Sequence, residues 1–206
     1  MAESFVNVTE GSGKKLHTFQ RTIGANAVED EVILHGEPHL ASYILAVGGS
    51  TSIATANDHV MQLMAGSSLN LYVRRIVVTQ AIAATTAGLV AFSLVRLTTA
   101  GTGGTARTPA PMDTTDAASG ATGMTLPTAK GTEGTELLRH FTQTIQTVGT
   151  GGAGTNPILL DINFDALRSK GIRIAAGTSN GLALKILTAS AAAAVYFWCI
   201  FSEANF

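Results

Sequence analysis

The pattern of apolar and polar positions in this chain is typical of short β-strands, and its longest strand-like stretch is residues 70–80. This stretch is rich in β-branched and aromatic residues and contains neither Gly nor Pro. Apolar residues fall on both of its alternating faces, as expected of a strand inside a sandwich. Arg74 and Arg75 would then point to opposite faces, and the inward one would need a carboxylate or several carbonyls as partner. A β-bulge at the pair would instead place both outward.

Alternation of large apolar residues with small or polar ones predicts further strands. Short strands are expected over residues 43–47 and 171–175, and longer ones over 89–97, 158–164 and 182–186. In the longer strands the residues expected to face inward are Val90, Phe92 and Leu94; Ile158, Leu160, Ile162 and Phe164; and Leu182, Leu184 and Ile186.

Two segments fit either a strand or a helix. Residues 60–64 alternate like a strand, but Val60, Leu63 and Met64 also fit one helical turn. Residues 135–148 have apolar residues at helical spacing together with threonines that favour a strand. We interpret this second segment as a strand because the pattern around it is that of strands.

The connections carry turn signals. Residues 81–87 are mostly small and join two predicted strands, which we expect to pair as neighbours. Asn180-Gly181 predicts a hairpin turn. Residues 98–134 are rich in Thr, Gly, Ala and Pro and have too few large apolar residues for a core of their own. Because long structureless loops are uncommon inside domains, this one is either a contact loop or mobile.

The two ends of the chain predict contacts with other subunits. Residues 1–38 read as an extended arm with strand pieces around 5–8 and 32–34. Ordering such a weakly apolar arm costs about 1–2 kcal/mol per residue, so it needs another surface, the alternative being a locally packed terminus. The last strand, 193–201, is apolar on both faces, so one face needs cover. The predicted interface residues are Phe5, Val6, Val8, Lys14, Lys15, Tyr196, Phe197, Trp198 and Phe201.

Composition supports a chain that is covered by neighbours. The 206 residues suffice for one main core, and only 13% are charged while 46% are hydrophobic. Such a surface has little charge to keep it soluble alone. A net charge of -1 argues against nucleic acid as a direct partner. No stretch reaches the about 18 apolar residues needed to span a bilayer, and the first residues lack a signal-peptide pattern, so we expect synthesis in a cytoplasm.

Two glycine-rich matches to catalytic or cofactor motifs fail on their context. Residues 149–154 satisfy a dinucleotide-binding spacing, but that motif must open a helix, and here a predicted strand follows. Residues 177–181 match a nucleophile elbow, but they join two predicted strands and no histidine follows them. Both are interpreted as turns.

The metal-ligating residues do not form a convincing set either. Gly36 and Pro38 forbid the helix that would place His35 and His39 on one face. The lone Cys199 is interpreted as a small buried hydrophobe. We therefore predict no catalytic residue, cofactor or metal site. Turn carboxylates that could hold calcium but are expected to be solvated are Asp113, Asp116, Asp161 and Asp165.

Several blocks of the sequence resemble structural proteins of tailed-bacteriophage virions. The opening Val6-Asn7-Val8-Thr9-Glu10-Gly11-Ser12-Gly13-Lys14-Lys15-Leu16 is similar to the N-terminal segment of many such proteins. The block Leu69 to Gln80, the block Leu94 to Thr105 with its Pro-rich continuation, and the segment Gly181 to Leu184 look like the same group. The resemblance implies a β-sandwich virion component without enzymatic activity, a group that includes head decoration, collar and tail proteins.

Both lines of reasoning predict an all-β chain: a jelly-roll-like antiparallel sandwich over 39–206, preceded by the arm 1–38. The leading hypothesis is a non-enzymatic capsid decoration or cement protein on the virion surface. It would act as a homotrimer that binds the major capsid protein, with no small-molecule ligand and no membrane contact. The alternatives are a collar or tail component and a carbohydrate-binding receptor module.

Overall fold

A computed structural model describes the chain over residues 18–23, 26–31, 40–47, 51–82, 84, 88–144, 157–164, 171–190 and 193–204. The chain divides into two units, residues 1–39 and 40–206. Every regular secondary-structure element of the described residues is a β-strand, so the predicted all-β class is confirmed. The described residues include no helix that could cross a membrane.

The described strands, in chain order, are β1 Thr18–Ile23, β2 Asn26–Glu31, β3 Ser42–Ala46, β4 Thr51–Ser52, β5 His59–Met64, β6 Asn70–Ile82, β7 Leu89–Leu97, β8 Thr105–Arg107, β9 Ala110–Pro111, β10 Thr122–Thr125, β11 Glu133–Gln143, β12 Ile158–Asn163, β13 Ile172–Ile174, β14 Gly181–Thr188 and β15 Ala194–Ala204. In the first unit, β1 and β2 form an antiparallel pair in which Ile23 lies opposite Asn26. The strand pieces expected around 5–8 and 32–34 lie outside the described residues.

The second unit is a jelly roll. Its eight main strands pair as a long hairpin whose arms are nested, with β7 against β11, β6 against β12, β5 against β14 and β3 against β15. Rolling up this hairpin produces two antiparallel sheets, one ordered β12-β6-β15-β3 and the other β11-β7-β14-β5. This is the double Greek-key arrangement of a jelly roll. The fold therefore agrees with the sandwich predicted from the sequence.

The two sheets enclose one main core. It is filled from alternate positions of the strands, as the pleat requires. Leu182, Leu184 and Ile186 lie in it as predicted, and β5 is a fully buried strand rather than a helical turn. The largest fully buried side chains are Phe92, Phe197, Phe201, Leu45, Ile53, Met61, Leu63, Leu71, Ile76, Leu94, Leu159 and Ile174.

A β-bulge explains why strand β6 has apolar residues at both odd and even positions. Opposite β15, Ile200 faces Arg75 and the next residue, Phe201, faces Val73, so Arg74 is an extra residue. Before the bulge the core residues of β6 have odd numbers, and after it they have even numbers. The bulge alternative is thereby confirmed, since neither Arg74 nor Arg75 enters the core.

A second bulge corrects the prediction for β12. Ile158 lies opposite Thr79 and Leu160 opposite Val78, which leaves Leu159 as the extra residue. Leu159 and Leu160 are both buried, whereas Ile158 is turned outward and is 60% exposed. The prediction that Ile158 faces inward was wrong because a bulge reverses the parity of every residue before it.

Two predicted strand pairings were also wrong. β6 and β7 lie in different sheets and do not pair with each other. Asn180-Gly181 does not form a hairpin turn either, because β13 pairs with β6 and β14 pairs with β5 and β7. In a jelly roll most connections pass from one sheet to the other, and residue spacing alone does not reveal this.

The Thr/Gly/Pro-rich segment forms the tip of the long hairpin, between β7 and β11. It contributes β10 and β8 beyond β5 in one sheet and β9 beyond β3 in the other. The segment is thus part of the sandwich, and it covers one lateral edge of both sheets.

Candidate interaction surfaces

The last strand, β15, presents one face to the core and one to the exterior. Val195, Phe197, Cys199 and Phe201 belong to the core. Phe197 and Phe201 are 1% and 0% exposed, so their predicted role as interface residues is corrected: their side chains are not available to a neighbour. The sequence showed two apolar parities, and only the packing against the second sheet decides which is inside.

The outward parity of β15 forms the centre of an apolar surface, here called the outer face. Cross-strand partners in an antiparallel sheet share a face, so it is defined by the rows through Tyr196, Trp198 and Ile200. Tyr196 is 41% exposed, and Trp198 and Ile200 are half-buried. The outer face consists of Ile44, Ala46, Arg75, Val77, Thr79, Ile158, Asp161, Asn163, Tyr196, Trp198 and Ile200, of which Val77 is only 1% exposed.

An ion pair lies within the outer face, and both of its partners belong to this chain. Arg75 donates from Nε and Nη2 to the two carboxylate oxygens of Asp161, at 3.0 Å and 2.7 Å. This bidentate contact raises the pKa of Arg75 and lowers the pKa of Asp161. The carboxylate partner was predicted for an inward-facing arginine, whereas Arg75 faces outward and finds its partner Asp161 on the neighbouring strand.

Further exposed apolar side chains lie where the sandwich has no extra strands. β11 and β12 are the last described strands of their sheets on that side, opposite the edge that residues 98–132 cover. Seven large apolar side chains of the described residues are exposed, and five belong to β11, β12 or the start of β7. We call this side of the sandwich the open edge, and its exposed apolar residues are Leu89, Leu137, Leu138, Phe141 and Ile158. Leu89 and Phe141 face outward from one sheet, and Ile158 faces outward from the other.

The open edge is irregular. The pairing of β11 with β7 shifts register between Glu133 and Glu136 and again between Glu136 and Leu138. The second shift places Glu136 and Arg139 on the same face, where Arg139 donates from Nε and Nη2 to the Glu136 carboxylate at 3.0 Å each. Bulges and charges of this kind oppose uncontrolled strand addition at an edge. The exposed side chains rather than the backbone are therefore the candidate contact groups.

The opposite edge is closed by polar anchors. Glu203, which is 7% exposed, accepts hydrogen bonds from Ser119 Oγ and from the backbone N–H groups of Gly120 and Ala121. Tyr43 donates its hydroxyl to the carbonyl of Ala117 at 3.1 Å. Burial, with Glu203 and Asp116 nearby, raises the pKa of this hydroxyl. These contacts fix residues 117–121 against the end of β15, and the sequence showed no local signal for them.

The described residues that could carry chemistry have structural partners. Asp113 accepts from Thr115 N at 2.9 Å, which makes it a turn residue as predicted, and this bond lowers its pKa. Burial raises the pKa of the Cys199 thiol to about 12. Over the described ranges, no three His, Cys, Asp or Glu residues are grouped as metal ligands would be. Residues 177–181 form a turn between β13 and β14 in different sheets, with Asn180 N bonded to the carbonyl of Gly177.

Several predicted positions lie outside the described residues. These are the arm positions Phe5, Val6, Val8, Lys14 and Lys15, the candidate ligands His35, His39 and Asp165, and the glycine-rich segment 149–154. Of the predicted interface residues that are described, Tyr196 and Trp198 face outward and share one surface.

Comparison of the chain with protein-family models, with curated proteins and with solved structures gave no match.

Proposed function

We propose that this protein is a non-enzymatic virion component that decorates and cements a bacteriophage capsid. Each copy would bind the assembled shell of the major capsid protein and contact further copies of itself in a homotrimer. The proposal rests on the resemblance of the sequence blocks and on the physical character of the surface. A chain with 13% charged residues and seven exposed large apolar side chains among its described residues is suited to permanent association.

The observation that carries the proposal is the asymmetry of the sandwich. One edge is closed by residues 98–132 and held by buried polar anchors, whereas the other exposes five large apolar side chains. Burying such a side chain completely contributes about 1.5–3 kcal/mol. These side chains are 39–60% exposed, so each would contribute only part of this value, and together they favour association against its entropic cost.

The mechanism in the proposal is mass action. A protein that binds only the assembled shell stabilises that shell, and many weak contacts on one particle add up to strong attachment. In the proposal, residues 1–38 supply a further contact to a neighbouring subunit. No catalytic step is required.

A first experiment measures self-association. Sedimentation velocity should show a trimer for the wild type and a monomer for the double variant Phe141→Ser/Ile158→Ser, with unchanged far-ultraviolet circular dichroism. Met112→Ser is the matched control, because Met112 is 58% exposed but lies in neither the outer face nor the open edge. A wild type that stays monomeric at high concentration would contradict the proposal.

A second experiment counts copies in purified particles by mass spectrometry. We expect a copy number comparable with that of the major capsid protein. A handful of copies per particle would instead indicate a collar or tail component. A glycan array with strong hits would favour the carbohydrate-binding alternative.

A further inference from the structure

Two runs of the Thr/Gly/Pro-rich segment form a flap on the outer side of strand β5. Residues 98–102 and 129–132 are joined to each other by backbone hydrogen bonds, and we call these two runs the flap. Met61 and Leu63 of β5 enter the core, so Gln62 between them faces outward. Gln62 is nevertheless only 1% exposed, because the flap lies on it.

The side-chain amide of Gln62 bonds to both runs of the flap. Its Oε1 accepts from Gly101 N at 2.9 Å, and its Nε2 donates to the carbonyl of Lys130 at 2.7 Å. The same Nε2 lies 2.7 Å from Nδ1 of His59, whose side chain is 0% exposed. The orientation of the amide therefore depends on Nδ1 being able to accept a hydrogen bond.

A proton on Nδ1 of His59 is incompatible with this arrangement. The imidazolium ring carries an N–H group on both nitrogens and has no acceptor. Its Nδ1–H would face the N–H₂ group of Gln62, donor against donor. If the amide turned over to offer its oxygen, its N–H₂ group would face Gly101 N–H and its oxygen would face the carbonyl of Lys130. One proton thus removes either the bond to His59 or both bonds to the flap.

The charged groups around the ring act in the same direction on the flap side. Nε2 of His59 bonds to Glu133 Oε1 at 3.0 Å, and a charge on the ring would strengthen this contact at the start of β11. Lys130 on the flap, which pairs with Asp58 at 3.6 Å, and Lys185 on β14 both oppose that charge. Burial is the largest influence, and it lowers the pKa of His59. The neutral ring is therefore the form that holds the flap.

We propose that His59 is an acid-sensitive switch whose protonation separates the flap from β5 while the sandwich stays folded. The sandwich does not depend on the flap, because β5 is joined to β14 and to β10 by strand pairing. Glu133 keeps the far side of the ring attached, so the separation is confined to the residues before β11. This inference does not depend on the proposed virion function.

The expected size of the effect follows from the affinity of the ring for a proton. When the flap opens, His59 regains contact with water and an ordinary pKa of about 6.5. The open form then binds a proton more tightly than the closed form does. Each pH unit below about 6.5 shifts the equilibrium towards the open form by up to about tenfold, until the closed form also becomes protonated.

Amide hydrogen exchange of the full chain at about pH 7.5 and pH 5, corrected for the intrinsic exchange rates, tests the proposal. Protection of the amides of Gly101, Thr102 and Ala129 should fall by about tenfold at the lower pH and remain well below that of the β15 amides. His59→Gln should make flap protection independent of pH, because the titrating ring is gone. His140→Gln, the matched control on β11, should behave as the wild type does.

Gln62→Met tests the role of the amide separately from the titration. It removes both bonds to the flap, so protection of the flap should be low at both pH values. Gln143→Met is its control, because Gln143 is exposed at the end of β11. If His59→Gln fails to fold, this pair of variants carries the comparison.

Four results would overturn the proposal. In the wild type, these are equal flap protection at the two pH values, or equal protection of the flap and β15 at the lower pH. In the variants, they are a wild-type pH dependence in His59→Gln, or wild-type flap protection in Gln62→Met.

Discussion

His59 donates from Nε2 to Glu133 Oε1 at 3.0 Å, which joins the buried strand β5 to the first residue of β11. The imidazole is 0% exposed, and its Nδ1 lies 2.7 Å from Gln62 Nε2. Gln62 also donates to the carbonyl of Lys130 at 2.7 Å and accepts from Gly101 N at 2.9 Å. One histidine and one glutamine therefore hold both ends of the hairpin tip against β5.

This network assigns the protonation of His59. A neutral ring with its proton on Nε2 donates to Glu133 and accepts from Gln62, so every group has a partner. A proton on Nδ1 would face the Gln62 N–H₂ group, donor against donor. Burial lowers the pKa of His59 and outweighs the opposing effect of Glu133, in agreement with a neutral ring. The charged partner of Glu133 is Lys185, at 2.8 Å.

Stability should fall with pH below about 6.5, the ordinary pKa of histidine. The folded-state pKa of His59 is lowered, so the unfolded chain binds more protons there and the free energy of unfolding decreases. Burial acts to raise the pKa of Glu133, but bonds from Lys185 and His59 together lower it. Its contribution is present above the unfolded value, about 4.5, and is lost as pH falls through the folded value.

Chemical unfolding at about pH 7.5 and pH 5 measures this dependence. His59→Gln should reduce the decrease, because the titrating group is gone. His140→Gln is the matched control, since His140 lies partly exposed on β11. Equal pH dependence in the wild type and His59→Gln would contradict the assignment.

Glu203→Ala should loosen the hairpin tip on the opposite sheet. The substitution removes the carboxylate acceptor of the exposed Gly120 N–H and of the buried Ala121 N–H, which keeps Ser119 Oγ as a second acceptor, so we expect a loss of about 1 kcal/mol. Amide hydrogen exchange of residues 119–121 and urea unfolding are the measurements. Ser119→Ala, which removes one donor to the carboxylate and one of the two acceptors of Ala121 N, should cost less. Unchanged exchange at Gly120 and Ala121 in Glu203→Ala would show that the anchor is not needed.

Gly131→Ala should destabilise the protein, whereas Gly134→Ala should not. Gly131 has φ of 76°, and an added Cβ would overlap the carbonyl oxygen of Thr99. We expect a loss of about 1–3 kcal/mol from the strained backbone. At Gly134 the nearest atom to an added Cβ is 3.4 Å away, on Arg96, an ordinary contact. Thermal unfolding of both variants is the measurement, and equal melting temperatures of the two variants would contradict the prediction.

The sequence predicts correctly those features of the fold that depend on the residue pattern within a single strand. Val90, Phe92 and Leu94 alternate cleanly and lie in the core as expected. Ile158 was misplaced because a single extra residue, Leu159, reverses the parity, and neighbouring residues carry no sign of it. The partner of each strand depends on contacts far apart in the chain, which is why the pairing of β6 with β7 was predicted and is absent.

For the candidate interaction surfaces too, the sequence predicts local character but not long-range arrangement. The sequence shows that β15 is apolar on both faces, but whether Phe197 or Trp198 faces outward depends on the position of the second sheet. Gln62 contacts Gly101, which lies 39 positions away in the chain, and Glu203 contacts Gly120, which lies 83 positions away. No local sequence pattern therefore indicates these two anchors. The open edge is recognised only when the strand order is known, because Leu89 and Phe141 face outward from the last two strands of their sheet.

Cys199 should be unreactive in the folded protein. Its side chain is 0% exposed in the core, and burial raises the pKa of its thiol to about 12, so very little reactive thiolate forms near neutral pH. With an excess of an aromatic disulfide reagent, modification should be slow in buffer and immediate in denaturant. Met112→Cys adds a thiol at a position that is 58% exposed and should react at once in the folded state. If Cys199 in the native wild type reacts as fast as that added thiol, then β15 does not stay packed against the second sheet and the assignment of its inner and outer faces fails.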